Sequence, residues 1–312
     1  MLLQPFLILA FASIPAYAVP VDNGITIPNI SEQMCGTQSP SRELRTAHAQ
    51  LRQARKAGLE KRGQQIVVQL HMHFVTTFDQ AHFYSAAVRQ RLATSQIAAL
   101  NIAYRPANIV FAANPATYTI RDDWATDANS TSMKQALRKG TYKDLNVYFQ
   151  TNLSTAPYTY SPASTLLGYC TLPTQITYTN GQGGQTEYPA IDYAIDGCNV
   201  LAGSMPGSPA PISGYNEGKT AVHEVGHWFG MLHTFQGNTC APTDGGDYID
   251  DTPQEGVSTI GCPKGKDSCS RTPGLDPINN YMDYSTDACY TQFTPDQQAR
   301  MVSMFQMYRA GE

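Results

Sequence analysis

Residues 220–233 read TAVHEVGHWFGMLH, and this stretch decides how the rest of the chain is interpreted. It contains the pattern HExxHxxGxxH, with fixed positions at His223, Glu224, His227, Gly230 and His233. Residues four apart on an α-helix lie on one face, so His223 and His227 can direct two imidazoles at one metal ion. Glu224 can reach a metal-bound water without binding the metal itself. Glycine favours the left-handed conformation that ends helices, so we expect a turn at Gly230 that brings back His233 as a third ligand.

Three histidine ligands predict one catalytic zinc ion rather than a structural one. Structural zinc sites use four protein ligands, whereas three leave a position open for water. The alternative is a surface helix that happens to carry histidines. The glycine and the third histidine add two constrained positions to HExxH, and they favour the metal site.

The composition is that of a globular protein with ample material for a core. The chain has 312 residues, of which 42% are hydrophobic and 15% charged. The net charge of −4 argues against a nucleic-acid-binding protein, because such proteins carry basic patches. No stretch of about 20 apolar residues follows the N-terminal segment, so we expect no membrane-spanning helix. We also expect the protein to be a monomer.

The N-terminus predicts secretion. Residues 6–12 form a short apolar run, and Ala16-Tyr17-Ala18 is a small-x-small cleavage signal, so residues 1–18 are interpreted as a signal peptide. No Lys or Arg precedes the apolar run, and an uncleaved anchor is the alternative. Candidate glycosylation sites for a secreted chain are Asn29, Asn129 and Asn152.

Residues 19–62 are predicted to be a pro-segment. Residues 41–62 are helix-prone and end in Lys61-Arg62, a dibasic pair that resembles a processing site. Residues 19–62 carry seven Lys or Arg and four Asp or Glu, a net +3, whereas residues 63–312 carry 14 and 21, a net −7. Opposite charge favours docking of the segment on the body. The alternative is an ordinary solvated helix end.

The first part of the body has alternating strand and helix patterns. Apolar residues of 66–75 occupy one face of a predicted strand, and His71 and His73 share the other face. A second metal site there is an alternative to a structural pair, but no neighbouring carboxylate or cysteine completes it. Further strands are predicted at 109–113, 118–121, 145–150 and 166–172, and helices at 84–103 and 132–138. This alternation predicts a mixed α/β sheet before the zinc helix, for which Asn216 is the expected N-cap.

Cysteines and acidic residues dominate the later part of the chain. Cys170 and Cys198 bracket a Gly- and Thr-rich excursion, and we predict that they pair. After His233 regular patterning is scarce, and four cysteines crowd together at positions 240, 262, 269 and 289. Candidate calcium ligands in this region are Asp244, Asp247, Asp250 and Asp251, and the alternative is a solvated acidic loop. A final helix is predicted by the capping box of Thr294 and Gln297, with Pro295 at its first position.

A second motif completes a resemblance to a known family. Residues 279–284 read NNYMDY, and a methionine turn downstream of the long zinc motif resembles the metzincin superfamily of zinc peptidases. Within it, Thr-Phe after His233, DTP at 251–253 and NYMDY at 280–284 resemble the pappalysin-type metallopeptidases, in particular the secreted fungal-type extracellular metalloprotease group. The resemblance covers most of the chain after about residue 63.

The resemblance implies a fold class and site residues. The fold would be α/β (α+β): a metzincin-like, two-lobed zincin with a mixed twisted sheet and helices in an N-lobe (63–233). Its C-lobe (234–312) would be irregular and disulfide-stapled, with a final helix. Met282 would form a hydrophobic floor under the histidines. Tyr284 would donate a hydrogen bond to the oxyanion that forms when the peptide carbonyl is attacked. The alternative is that Tyr284 is a tyrosine packed in a loop without a catalytic role. The family pattern also implies bridges Cys240–Cys269 and Cys262–Cys289, and structural calcium near Asp247 and Asp251.

Cys35 is the cysteine that these pairs leave over. A thiolate is a good zinc ligand, so one hypothesis is that Cys35 fills the open zinc position of the precursor. This would resemble the cysteine switch of some metalloproteinases, with which Gln33-Met34-Cys35-Gly36 shares only Cys-Gly. The alternative is a disulfide to another cysteine.

The predicted function is a secreted zinc endopeptidase that acts on proteins or peptides. Glu224 would serve as general base and then general acid. Two other functions are weighed against it. A secreted binding protein could keep the metzincin fold without catalysis. Such a protein would be expected to lack the glutamate or a ligand, whereas here the glutamate and all three histidines are present. A zinc hydrolase of non-peptide bonds is disfavoured by the whole metzincin pattern.

Overall fold

Strand β1 (Ile66–Thr76) lies inside the main sheet of this computed structural model, which describes residues 34–59, 64–153, 166–179, 185–187, 190–241 and 245–311. Alternate residues at the start of β1 are buried, as the sequence predicts, because successive side chains of a strand point to opposite faces. The expected signal peptide, Asn29, Lys61-Arg62 and Asp244 lie outside the described residues.

The sheet is mixed and places one antiparallel strand at its edge. Its other strands are β2 (Ile109–Ala113), β3 (Thr117–Ile120), β4 (Leu145–Gln150), β5 (Gly168–Cys170) and β8 (Cys198–Leu201), in the order β2-β1-β4-β8-β5, with β3 also paired to β1. β1, β2, β3, β4 and β8 run parallel, and β5 runs antiparallel to β8. A separate hairpin joins β6 (Thr177–Thr179) to β7 (Gln185–Glu187).

Helices cover the sheet and close the molecule. They are α1 (Arg42–Lys56), α2 (Ala86–Tyr104), α3 (Asp122–Ala125), α4 (Ser130–Leu137), α5 (Ala190–Ile195), α6 (Lys219–Trp228) and α7 (Pro295–Tyr308). Short 3-10 turns lie at Ala81–Phe83, Arg105–Ala107 and Ala202–Ser204. Leu92, Leu100 and Tyr104 of α2 join the main core, and the Tyr104 hydroxyl donates to the Val222 carbonyl of α6 at 2.8 Å. Among the described residues, none of these helices has the length and apolar character needed to cross a membrane.

Most sequence-predicted elements are present, with two corrections. The predicted strand at 166–172 is shortened to Gly168–Cys170, because Leu166 and Leu167 pack in a cluster with Leu153 and Leu201 instead. The N-cap expected at Asn216 is wrong: α6 begins at Lys219, after Gly218. The chain before α6 is fixed by other contacts, since the Glu217 amide donates to Asp287.

After His233 the chain has little regular structure until α7. Bridges join Cys240 to Cys269 and Cys262 to Cys289, the two pairs that the resemblance implies. A third bridge joins Cys170 to Cys198, as expected, across paired strands of the sheet edge. The capping box of α7 is confirmed: the Thr294 hydroxyl accepts from the Gln297 amide, and the Gln297 side chain accepts from the Thr294 amide.

The predicted pro-segment contacts both parts of the body. Leu44 and Ala47 of α1 pack on Met304 of α7, within an apolar cluster. Basic residues at the end of α1 make ion pairs with acidic body residues, namely Arg52 and Lys56 with Asp250, and Arg55 with Asp296. Upstream of α1, the Gly36 amide donates to the Gly168 carbonyl at 2.8 Å, so this segment extends the sheet beyond β5. The charge complementarity expected from the sequence is therefore present in the docked segment.

Candidate metal centre

The three motif histidines converge on one point. His223 and His227 project from the same face of α6, one turn apart, and His233 returns after the helix ends. The Nε2 atom of His227 lies 3.1 Å from Nε2 of His223 and 3.1 Å from Nε2 of His233. All three imidazoles thus direct the same kind of nitrogen at a shared centre.

Backbone carbonyls fix the tautomer of two of these imidazoles. His223 Nδ1 donates to the Tyr281 carbonyl at 2.7 Å, and His227 Nδ1 donates to the Met231 carbonyl at 2.8 Å. A carbonyl oxygen can only accept, so Nδ1 carries the proton and Nε2 of the neutral ring carries a lone pair. Two lone pairs that face each other at 3.1 Å repel unless a cation lies between them. Such hydrogen bonds at Nδ1 are typical of metal-binding histidines.

The donor set fits a zinc ion. Zn–N distances of about 2.0–2.1 Å in a tetrahedral site put neighbouring ligand nitrogens roughly 3.3 Å apart. The observed nitrogen separations of 3.1 Å are close to that value. Cys35 Sγ and one nitrogen of each histidine all lie within 4.8 Å of one another, which gives three nitrogens and one sulfur.

Burial of the site sets the charge state of the histidines. Desolvation lowers the pKa of His223 to about 4, although its carbonyl partners oppose the shift. Desolvation also lowers the pKa values of His227 and His233 well below the usual value, and the neighbouring imidazoles lower them further. The rings are therefore neutral near pH 7, which is the form that binds metal.

Two glycines of the motif have distinct structural roles. At Gly230 φ is +85°, and the predicted turn after the helix is confirmed. Gly226 lies on α6 between the two ligands, and a β-carbon there would come within 2.5 Å of Met282 Sδ. Met282 is fully buried. Its thioether therefore packs directly against the helix that carries His223 and His227, and its role as a floor under the histidines stays a prediction.

Glu224 faces the segment that contains Cys35. The Cys35 thiol donates to Glu224 Oε2 at 3.5 Å, and the Thr37 hydroxyl donates to the same oxygen at 3.3 Å. Burial raises the pKa of Glu224 to about 8, while these two donors lower it. Burial and the Glu224 carboxylate raise the pKa of the Cys35 thiol. A cation at the histidines would favour both anionic forms.

Cys35 is a free, buried cysteine, so the alternative that it forms a disulfide is wrong. Thr37 was missed by sequence reasoning. It holds the segment in place because its hydroxyl accepts from the Cys170 amide at 2.9 Å and its own amide donates to Cys35 Sγ at 3.4 Å. In the sequence, the one indication of this role is that Thr37 lies two residues after Cys35.

Tyr284 lies beside the three histidines. Its ring centroid is 5.6 Å from that of His223 and 5.0 Å from that of His233. Its hydroxyl donates to the Cys35 carbonyl at 3.4 Å, and burial raises its pKa above the usual range. The hydroxyl is thus protonated near pH 7 and faces the segment that contains Cys35.

The other sequence-predicted site residues lie away from this cluster. His73 contacts Thr117 and Asn146 and stacks on Tyr148, which matches a structural role. Asn129 and Asn152 are exposed, and their glycosylation stays a prediction.

Calcium at Asp247 and Asp251 also stays a prediction. Both Asp247 oxygens already accept, from the Ile249 amide and the Thr252 hydroxyl, and burial raises its pKa to about 7. Asp251 accepts from the Asp296 amide. The cluster around the histidines is the one group of potential metal ligands found among the described residues.

Comparisons with known proteins identify metallopeptidases as relatives of this chain. The model of peptidase family M43, described as Pregnancy-associated plasma protein-A, matches residues 178–306. An extracellular metalloprotease of Neurospora crassa is 39% identical over 298 residues, which is 95% of this chain and 95% of the relative. One from Pyricularia oryzae is 42% identical and covers 90% of this chain and 92% of its own.

Solved structures show the same fold. Mature mirolysin of Tannerella forsythia, in complex with a cleaved peptide, has a TM-score of 0.59 at 26% identity and covers 78% of this chain and 92% of its own. A promirolysin mutant from Tannerella forsythia has a TM-score of 0.62 at 22% identity, and the match covers 88% of this chain and 94% of the mutant chain. The expected metzincin-like α/β fold is thereby confirmed.

Proposed function

Because the chain belongs to the pappalysin family of metallopeptidases and is a metalloendopeptidase, we propose that it is a secreted zinc enzyme with His223, His227 and His233 as its zinc ligands. The convergence of three Nε2 lone pairs carries this proposal. The tautomers imposed by the Tyr281 and Met231 carbonyls support it. Bound there, zinc supplies Lewis acidity that lowers the pKa of water and polarises a carbonyl oxygen.

Glu224 moves the proton in the proposed reaction. Its carboxylate accepts a proton from the attacking water as the new C–O bond forms. It then delivers that proton to the leaving amine as the C–N bond breaks. The Tyr284 hydroxyl donates to the oxyanion, which is supported by its position beside the histidines and by its raised pKa.

Substrates are proposed to bind as extended segments along β5. Gly168 of this edge strand lies beside the Glu224 side chain, and residues 34–36 already pair with the strand there. Main-chain pairing of this kind accepts many sequences, because it uses groups that every peptide has. The names of the fungal relatives, extracellular metalloproteases, support a protein substrate and secretion.

The precursor is proposed to be latent, with Cys35 Sγ as the fourth donor of the site. Its sulfur lies within the ligand cluster and beside Glu224, so the same segment would block the metal, the base and the edge strand. The docked α1 anchors that segment through apolar packing and ion pairs. Cys35→Ala should give a precursor that hydrolyses casein before processing, with Ser39→Ala as the surface control. Equal latency of the two variants would exclude this role for Cys35.

Glu224→Gln tests the mechanism. The variant should retain one zinc per chain and lose nearly all casein hydrolysis after removal of the pro-segment. Glu217→Gln, an exposed glutamate before the same helix, is the matched control and should keep both zinc and activity. Chelator should abolish wild-type activity. Normal turnover in Glu224→Gln, or casein cleavage that is insensitive to chelator, would contradict the proposal.

A further inference from the structure

We infer that Arg309 and Asp196 form a clamp that positions the end of the metal-binding helix. This rests on the zinc site proposed above. The helix α6 ends at Trp228, one residue after His227, and the chain then turns towards His233. The last carbonyls of a helix have no partner within it, and a buried one needs a donor from elsewhere.

Arg309 supplies that donor. Its Nε donates to the Trp228 carbonyl at 3.2 Å, and its guanidinium lies between the rings of Trp228 (3.9 Å) and Tyr142 (4.2 Å). The side chain is fully buried. A cation at a helix C-terminus also interacts favourably with the helix dipole. Arg309 therefore holds the backbone of the residue that follows a metal ligand.

Asp196 fixes both Arg309 and the Trp228 side chain. Its two oxygens accept from the two terminal nitrogens of Arg309 at 3.1 Å, and one accepts from the Trp228 indole at 3.1 Å. It also accepts from the Thr171 hydroxyl at 2.7 Å, just after β5. The carboxylate thus connects the end of the metal helix to the strand along which substrate is proposed to bind.

This arrangement has a consequence for the metal. Trp228 is held at its carbonyl by Arg309 and at its indole by Asp196, so the backbone between His227 and the turn at Gly230 is fixed at two points. Metal ligands must be held to within about 0.5 Å, and groups outside the ligands change metal affinity by roughly 10–100-fold. Arg309 and Asp196 are thus positioning residues that do not touch the metal.

Arg138 provides a matched control. It is also buried, and it donates to the Asp196 carbonyl at 3.0 Å and to its carboxylate at 3.4 Å. Among the residues that the structure describes, Arg138 contacts Asp196, Thr141 and the Tyr193 ring, and none of these lies on α6. Arg138→Gln and Arg309→Gln each leave Asp196 with one arginine, so a purely structural ion pair would make the two variants behave alike.

The test measures zinc affinity and thermal stability of the full chain. Zinc dissociation constants are obtained by competition with a chromophoric chelator, well below the unfolding temperature. We expect both variants to unfold at lower temperature, but zinc binding to weaken about 10–100-fold in Arg309→Gln and less than about twofold in Arg138→Gln. Equal zinc affinity in the two variants would overturn the clamp.

Trp228→Phe keeps the test decisive if Arg309→Gln does not fold. It removes the indole donor to Asp196, keeps an aromatic ring beside Arg309 and leaves the ion pair between Arg309 and Asp196. A weakening of zinc binding by at least about threefold is expected, and an unchanged constant would overturn the inference. Failure of the metal site itself is distinguishable, because wild-type protein would then bind no zinc.

Discussion

Residues 64–233 place His223 and His227 by packing an apolar sheet against helices, whereas residues 234–294 add disulfides and buried charges to the apolar contacts of Met282. In the first region the core is almost continuous, from Val68 and Phe74 to the inner face of α6. In the second, Lys266 makes ion pairs with the buried carboxylates of Glu255 and Asp276. Apolar packing tolerates small changes, while a buried polar network depends on every partner.

The difference determines how each region is expected to fail. The Thr234 hydroxyl donates to Glu255 at 2.7 Å, and the Thr234 amide donates to the Met282 carbonyl at 3.2 Å. The residue after the third histidine is thus tied to the charged network and to the methionine turn. Substitutions in the second region should therefore impair the metal site before they unfold the protein. Substitutions in the first region should lower the stability of the fold before they impair the metal site.

Disulfide removal should give the largest effect. The bridges Cys170–Cys198 and Cys262–Cys289 span 28 and 27 residues, so chain entropy predicts similar losses of about 3–4 kcal/mol each. Cys170 and Cys198 are also paired in the β5–β8 ladder. We expect the Cys170→Ala, Cys198→Ala double variant to retain casein hydrolysis at 25 °C, and the Cys262→Ala, Cys289→Ala variant to lose it.

Thermal unfolding and activity of both double variants decide this comparison. If the two variants lose activity together at 25 °C, residues 64–233 and 234–294 do not differ in the way proposed. If both remain active, the charged network alone holds the second region.

The buried His73 of the first region and the buried Asp287 of the second should contribute to the pH dependence of stability with opposite sign. Burial lowers the pKa of His73 to about 4, so its contribution is full above pH 6.5 and is lost as pH falls from 6.5 through 4. Burial raises the pKa of Asp287 to about 6, so its contribution is full below pH 4 and is lost as pH rises through 6. Burial also raises the pKa of Glu255. Each effect is on the order of 1–3 kcal/mol.

Two substitutions separate these contributions. Asp287→Asn should reduce the loss of stability between pH 4 and pH 6.5, because the amide does not ionise and still accepts from the Glu217 amide. His73→Gln should reduce the loss on acidification over the same range. Unfolding temperatures measured from pH 4 to 8 would contradict the assignment if either substitution left the wild-type curve unchanged.

Helix capping should give the smallest effect. Thr294→Ala removes the hydroxyl that accepts from the Gln297 amide, and a loss of about 1 kcal/mol is expected with unchanged casein hydrolysis. Asn216→Ala should change stability by less than about 0.5 kcal/mol, because Asn216 is exposed and does not cap α6. A larger effect at Asn216 than at Thr294 would reverse this ranking.

The sequence predicts the regular elements well where burial follows a simple period. Strands β2 and β4 have the predicted bounds, because most of their residues are apolar and buried by the sheet. The convergence of His223, His227 and His233 is equally local, since one helix and one turn place all three. The placement of Met282 and Tyr284 in this site depended on resemblance, because an irregular loop has no period from which to derive it.

Contacts between distant residues leave no such signal. Asp196 and Arg309 are 113 residues apart, and neither belongs to a repeating pattern. Met282 packs against α6 at Gly226, where any side chain would collide with its sulfur. Nothing in the sequence distinguishes this glycine from the other glycines of the chain, which has 24 in all. The failed N-cap at Asn216 has the same origin, because the path into α6 is set by a contact with Asp287.

The docking of α1 on α7 has a consequence for how the chain matures in time. His48 of α1 is buried, accepts from Arg300 of α7 at 2.6 Å and stacks on Tyr248. His48 and Arg300 are 252 residues apart, so the first described helix cannot find its partner until the last one has been synthesised. Contacts between residues so far apart in the chain form slowly, after the local contacts have formed. The proposed block of the metal site by the segment before α1 would therefore be completed only after α7 has folded.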